Sequence, residues 1–224
     1  MSGREQTGGR KQAPARPLTR EHIVATALAL VDREGPGALS MRRLGAELDA
    51  DPMAVYYHLP SKDALLDAIV EAVMAEIDLA DDPSAPLEER IVCAAVSYRD
   101  ALVAHMGALP IVLTRSPSTP ASMQPVEVLL GLLAEAGLPP AQAMAGMNAV
   151  AATVRGLVGM AVDCGDGPPT TQQLAALGAS DPEDEFPHLR STEVCAEDFL
   201  GADFEFGVRA LVRGLIASAK AERD

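Results

Sequence analysis

Long apolar runs are missing from this sequence. No stretch of about 18 uncharged apolar residues passes without a glycine or a polar interruption, so no membrane-spanning helix is expected. The basic residues near the start, Arg4, Arg10, Lys11 and Arg16, are followed by no hydrophobic core of the kind a secretory signal needs. The expectation is a soluble, cytoplasmic protein. Cysteine is scarce, and Cys93, Cys164 and Cys195 stand far apart, suggesting neither a disulfide framework nor a zinc site. Aromatic residues make up only 3% of the chain and strand-like alternation is rare, which speaks against a sheet. The marks of common enzymes are lacking too: there is no Gly-x-Ser-x-Gly elbow, no Gly-rich phosphate loop and no paired-histidine metal motif. The four histidines, His22, His58, His105 and His188, are scattered. Asp163, Asp166, Asp181, Glu183, Asp184 and Glu185 read as a solvated acidic loop rather than a calcium site. The sequence calls for no catalysis, no metal and no cofactor.

What is present is apolar material in quantity: 48% of 224 residues, enough for one large core or two small ones. The net charge of −14 by itself argues against a nucleic-acid partner, whose phosphates demand an electropositive face. Its distribution reverses the inference. Up to His58 there are eight basic residues (Arg4, Arg10, Lys11, Arg16, Arg20, Arg33, Arg42, Arg43) against seven acidic ones (Glu5, Glu21, Asp32, Glu34, Glu47, Asp49, Asp51), a net of +1, so the remainder carries −15. An acidic body with a comparatively basic end suits a protein that touches DNA with that end.

The pattern along the chain is helical. Residues 1–17, rich in Gly, Gln, Pro and Arg, read as a mobile arm. Thr19 caps a helix carrying Ile23, Ala27, Leu30 and Val31 on one face, stopped by Gly35, Pro36 and Gly37. A short helix follows Ser40, with Met41, Leu44, Gly45 and Leu48 as its apolar stripe. Asp49, Ala50 and Asp51 turn the chain, and Pro52 opens a third helix that runs to about His58. Ser61 caps a longer helix faced by Leu66, Ile69, Val70, Val73 and Ile77. Further helices are expected from Leu87 to His105, Leu109 to Leu113, Pro120 to Ala136, Pro140 to Val162 and Phe204 to Ala219. From Asp163 to about Glu197 the sequence is loop-like, with one short helix around Thr171 to Leu177.

Ser40 to His58 therefore forms a helix-turn-helix pattern, a motif in which the second helix enters the major groove but which ordinary domains also contain. The segment Leu39 to Ala68 is more specific. Leu39, Ser40, Met41, Arg42, Arg43 and Leu44, then Val55, Tyr56, Tyr57 and His58, then Ser61 to Leu66, resemble the DNA-binding domain of the TetR family over their whole length.

The resemblance implies a DNA-contacting set. Arg42 would read a base, since a guanidinium bonds bidentately to guanine O6 and N7; the alternative is an ordinary solvated arginine. Ser40 and Arg43 stand beside it. Pro52, Met53 and Ala54 fall where the family meets base edges, yet none offers a side-chain hydrogen bond, leaving only shape and thymine methyls to be read. Tyr56, Tyr57 and His58 resemble the family's aromatic cluster and can donate to phosphates, although one tyrosine could equally plug the core. Lys62, beside the free N–H groups of its helix, would hold a further phosphate.

Past about Asp81 the chain resembles the tetracycline-repressor branch, chiefly in Leu109 to Arg115, Leu129 to Pro139 and Phe204 to Leu215. The resemblance implies that the helices Pro140 to Val162 and Phe204 to Ala219 pair with their copies in a homodimer. Small residues such as Ala145, Gly146, Ala152, Gly156 and Gly159 on the first, and Phe204, Val208, Leu211, Leu215 and Ala219 on the second, permit that, but also permit packing within one chain. Flexible apolar side chains suggest a ligand pocket: Met106, Leu109, Ile111, Leu113, Met123, Met147, Val154 and Met160, with Val112 and Met144. The tetracycline repressors hold a magnesium chelate through histidine and carboxylate groups. Here Ile111 to Leu113 and Val154 to Met160 contain neither, which argues for an uncharged or weakly polar hydrophobic effector, oriented by Gln124, Asn148, Thr153 or Arg155.

The sequence thus predicts an all-α protein: an arm over 1–17, a three-helix helix-turn-helix DNA-binding domain over 18–78, and a helical ligand-binding and dimerisation domain over 79–224. The expected function is a ligand-responsive repressor on double-stranded palindromic operator DNA, released by a small hydrophobic effector. A helical scaffold with the same fold and no DNA recognition is the rival, because Pro52, Met53 and Ala54 lack polar groups.

Overall fold

The computed structural model describes residues 18–162, 176, 188 and 199–221, so the N-terminal arm, nearly all of the expected Asp163–Glu197 loop and its short helix lie outside the described residues. Within these limits the regular structure is wholly helical.

Each helix of the N-terminal domain starts on the side chain its sequence offers. Thr19 Oγ1 accepts the His22 N–H at 3.2 Å and opens α1 (Arg20–Glu34). Gly35, at φ +79° and ψ 167°, ends it in a conformation that a side chain would oppose. Ser40 Oγ accepts from the Arg43 N–H at the start of α2 (Met41–Glu47), and Asp51 Oδ1 accepts from the Met53 N–H at the start of α3 (Pro52–His58). Between them Asp49 takes φ +49°, a left-handed position that a short polar side chain tolerates. Gly45 is required where the two helices meet, because a Cβ there would lie 2.9 Å from the Ala50 carbonyl oxygen and 3.3 Å from Pro52 Cγ. Ser61 caps α4 (Lys62–Ala75) through the Ala64 N–H. On α4 it is Leu65 that is fully buried while Leu66 is only half-buried, a correction to the stripe expected from sequence. The cause is that α4 is covered on more than one side, by α1 and by helices of the second domain.

The C-terminal domain consists of α5 (Leu87–Ala104), α6 (Leu109–Thr114), α7 (Pro120–Glu135), α8 (Pro140–Val162) and α9 (Phe204–Ala221), within one or two residues of the ends read from sequence. A turn of π-helix at Phe199–Asp203 leads into α9, which periodicity did not anticipate. α5 is the central column, touching α7, α8 and α9. Phe204, Val208 and Ala219 are completely buried within the single chain, so the face of α9 that holds them belongs to the core. Phe206, 77% exposed, and Ala210, Gly214 and Ala217 form its open face.

The two domains lock at a 3-10 turn, Met106–Ala108, pressed on the end of α1. His105, at the end of α5, bridges Asp32 of α1 (Nδ1 to Oδ2, 2.7 Å) and Glu76 just beyond α4 (Nε2 to Oε2, 2.9 Å). Burial works against a charged imidazole there, but the hydrogen bonds and charges of the two carboxylates outweigh it, and the His105 pKa is raised. Stability from this bridge is complete below the unfolded-state value of about 6.5 and is lost as pH rises through the higher folded-state value. In urea melts across this range the wild type should lose stability with rising pH relative to His105→Gln; parallel curves would sink the assignment.

Candidate DNA interface and effector cavity

α3 is held by few side chains. Val55 and Leu59 are buried beneath it, each contributing roughly 1.5–3 kcal/mol, whereas Met53 and Tyr57 stand 72% and 87% exposed on its outer side. Two large side chains are thus left bare on one side of a seven-residue helix. Tyr57 packs edge-on against His58 with ring centroids 5.4 Å apart, which restrains both rings. Tyr56 is 40% exposed, Pro52 and Ala54 are half-buried at the start of the helix, and Ser40 and Lys62 lie exposed beside it at the starts of α2 and α4.

The structure separates two adjacent arginines that look equivalent in sequence. Arg43 is tied to Glu34 at 3.0 Å and Glu47 at 2.8 Å, in a network that Arg33 also joins. Arg42 is exposed and has no ion-pair or hydrogen-bond partner among the described residues. The guanidinium of Arg42 therefore stands exposed on α2, the helix that packs against α3. Lys62 likewise has no carboxylate partner among the described residues, while its neighbour Asp63 faces Arg115.

At the other end of α4 lies a cavity of about 290 Å³. Its wall is mostly apolar: Met74 from α4, Ile77 and Leu79 beyond it, Ala94 and Ala95 from α5, Met123, Val128, Leu129 and Leu132 from α7, and Met147, Val150 and Ala151 from α8. The polar groups are Asp78, Asp81, Arg90, Tyr98, Ser116, Asn148 and Arg155. Asp81 accepts both Nε and Nη2 of Arg90, at 2.7 and 2.6 Å, and Arg90 also reaches Glu135. Arg155 Nε donates to Tyr98 Oη at 2.6 Å. A few polar groups set in an apolar wall are the ordinary make-up of a small-molecule site.

The family described as "Bacterial regulatory proteins, tetR family" matches residues 23–69, and "Tetracyclin repressor-like, C-terminal domain" matches residues 80–219. The chain belongs to the tetR family. Among its relatives is an HTH-type transcriptional regulator of Saccharopolyspora erythraea, 30% identical over 95% of this chain and 91% of the relative. The class A tetracycline repressor from transposon 1721 of Escherichia coli is 29% identical over 86% and 88%. In three dimensions the chain resembles ActR of Streptomyces coelicolor at 29% identity. The TM-score is 0.79 against apo ActR, covering 92% of this chain and 99% of that one, and 0.76 against ActR in complex with actinorhodin, covering 91% and 99%. A tetR-family member with this fold is a ligand-responsive DNA-binding transcriptional regulator, not an enzyme. No helix among the described residues is long and apolar enough to cross a membrane.

Of the pocket residues expected from sequence in this tetR-family chain, the structure brings Met123 and Met147 to the cavity. Leu109, Ile111 and Val154 are buried in the core, Met106 lies in the interdomain turn, and Leu113, Met144 and Met160 are 44–46% exposed on the outside. Asn148 and Arg155 line the cavity; Thr153 is bonded to the Ala149 carbonyl of its own helix, and Gln124 is exposed outside the wall. Tyr98, Arg90 and the α6–α7 loop residues Ser116 and Pro117 also line the cavity, though the sequence did not point to them. Tyr98 had a signal, being the one tyrosine of three outside the helix-turn-helix.

Proposed function

We propose that the chain is a cytoplasmic repressor that binds palindromic operator DNA as a homodimer and is released when a small, largely hydrophobic effector fills the α4–α5–α7–α8 cavity. The DNA-contacting set is Ser40, Arg42, Arg43, Pro52, Met53, Ala54, Tyr56, Tyr57, His58 and Lys62, on a DNA-binding domain of residues 18–78, with 79–224 as the sensor and dimerisation domain. One observation carries the reading: α4 begins with Lys62 beside the bare face of α3 and ends with Met74 in the cavity wall. A single helix of 14 residues, about 20 Å long, thus belongs to both sites. An effector that binds one setting of α4 better than another shifts the population away from DNA, with a coupling of about 1–3 kcal/mol. The likeness to ActR in complex with actinorhodin supports an effector of that general kind.

Titration of the protein's own upstream DNA by fluorescence anisotropy tests this. Tight, sequence-selective binding that weakens steeply with salt is expected. Salt-insensitive or absent binding by the ligand-free protein would favour a scaffold instead.

In the dimer the open faces of α8 and α9 meet their copies. Gly156 and Gly159 have open space around the position of a Cβ, whereas Gly146 is already packed against Leu215 and Leu133 of its own chain. Phe206→Glu should therefore yield a folded monomer by light scattering and lose operator affinity, since each half-site alone gives up the second set of contacts. An intact F206E dimer would refute this face.

A further inference from the structure

The cavity wall holds an arginine, Arg155, that forms no ion pair with any of the described residues. We propose, on the basis of the effector-release reading above, that the effector is a small amphipathic organic acid whose anionic oxygens dock on Arg155 and Tyr98. Its apolar body then lies against Met74, Leu129 and Met147.

The contrast with the neighbouring arginines carries the argument. Arg90 pairs with Asp81 and Glu135, Arg99 with Asp100, Arg115 with Asp63 and Asp67, Arg209 with Glu88 and Glu89, and Arg213 with Glu88. In a chain of net charge −14 a carboxylate is close to hand almost everywhere. Arg155, half-buried in the cavity wall, has only the neutral hydroxyl of Tyr98 among the described residues, with its guanidinium carbon 5.8 Å from the Tyr98 ring. A half-buried guanidinium beside apolar groups gains from an anion that can bond its remaining N–H donors.

The other charges around the cavity do not answer it. Arg90 and Asp81 neutralise one another, and Asp78 is exposed, with Oδ1 accepting the Ala80 N–H. Tyr98 is held protonated: burial raises its pKa above the ordinary phenol value against the opposing charge and hydrogen bond of Arg155. Its oxygen already accepts from Arg155 Nε, so its own proton is free to be donated. The two terminal guanidinium nitrogens and the Tyr98 hydroxyl make a cluster of donors with no acceptor among the described residues, the arrangement that suits a carboxylate, a sulfonate or an ionised phenol. An acidic effector departs from the uncharged or weakly polar one expected from sequence, because only the fold shows that Arg155 has no carboxylate partner among the described residues.

A matched pair of fluorescent probes tests the charge separately from the cavity. 8-Anilinonaphthalene-1-sulfonate and N-phenyl-1-naphthylamine share one ring frame, and only the first is an anion. Full-length wild type should prefer the sulfonate, and Arg155→Gln should weaken it about 10- to 100-fold, the value of a charge-assisted hydrogen bond, while leaving the neutral probe within about twofold. Retained neutral-probe binding also shows that the R155Q cavity is intact. Arg155→Lys should restore part of the preference. Equal affinity of the two probes for wild type, or equal weakening of both by R155Q, overturns the proposal and leaves the cavity reading standing. If neither probe binds, or if both still bind after Leu129→Trp fills the cavity, the effector-cavity reading itself fails.

Discussion

Gly107→Ala is expected to destabilise the protein by about 3 kcal/mol, at the upper end of what overpacking usually costs, and to weaken operator binding in the fraction that folds. A Cβ at this position would lie 2.5 Å from Asp32 Cα and 2.5 Å from the Val31 carbonyl oxygen. Both are backbone atoms of α1, so no side chain can swing aside, and relief requires the Met106–Ala108 turn to lift from the DNA-binding domain. That movement also pulls His105 from Asp32. Urea melts monitored by circular dichroism give the measurement, and Gly131→Ala is the control. Gly131 lies in α7 with open space around it, so the same methyl should there stabilise by about 0.5–1 kcal/mol through helix propensity. Two Gly→Ala changes of opposite sign would locate the effect in the domain contact. A melt of G107A that superimposes on wild type would show that α1 and the turn are not held together as described.

Arg42→Ala should lower operator affinity by at least about 30-fold with no change in the urea midpoint. A bidentate guanidinium–guanine contact is worth about 1–3 kcal/mol, and a dimer makes it twice. Since Arg42 is exposed and tied to nothing among the described residues, its loss removes no contact within the protein. Arg43→Ala is the informative comparison. It breaks exposed ion pairs to Glu34 and Glu47, contacts that contribute little to stability, and its effect on DNA should be smaller and spread evenly over sequences. Operator mutants should show the same division: R42A relaxes the preference at one base pair in each half-site, and R43A relaxes none. If R42A and R43A weaken operator equally, base reading by Arg42 is wrong.

Much of the fold was legible because its signals are local. Thr19 and Ser61 cap the helices expected from them, Ser40 and the turn residue Asp51 cap the two between, and Pro52 and Pro120 open helices where a missing N–H does no harm. The Pro140–Val162 helix has the bounds its periodicity gave. Errors arose where an apolar residue had a choice of partners. Phe204, Val208 and Ala219 satisfy helical spacing equally well as a dimer face or as core, and the structure assigns them to the core. Methionines carry no label of destination: Met123 and Met147 reached the cavity, while Met144 and Met160 remained outside.

The helices, caps and turn of the DNA-binding end were therefore determined by sequence alone. Its turn and exposed side chains lie between Ser40 and Lys62, and local spacing places them on α2, α3 and the start of α4. The sensing end was decided only by tertiary structure. Met74, Tyr98, Leu129, Met147 and Arg155 meet across four helices, so their meeting depends on how those helices cross. The same holds for charge. Whether an arginine is spent inside the protein depends on which carboxylate can reach it, and that distance is set by the fold: among the described residues Arg43 and Arg90 reach carboxylates, and Arg42 and Arg155 reach none.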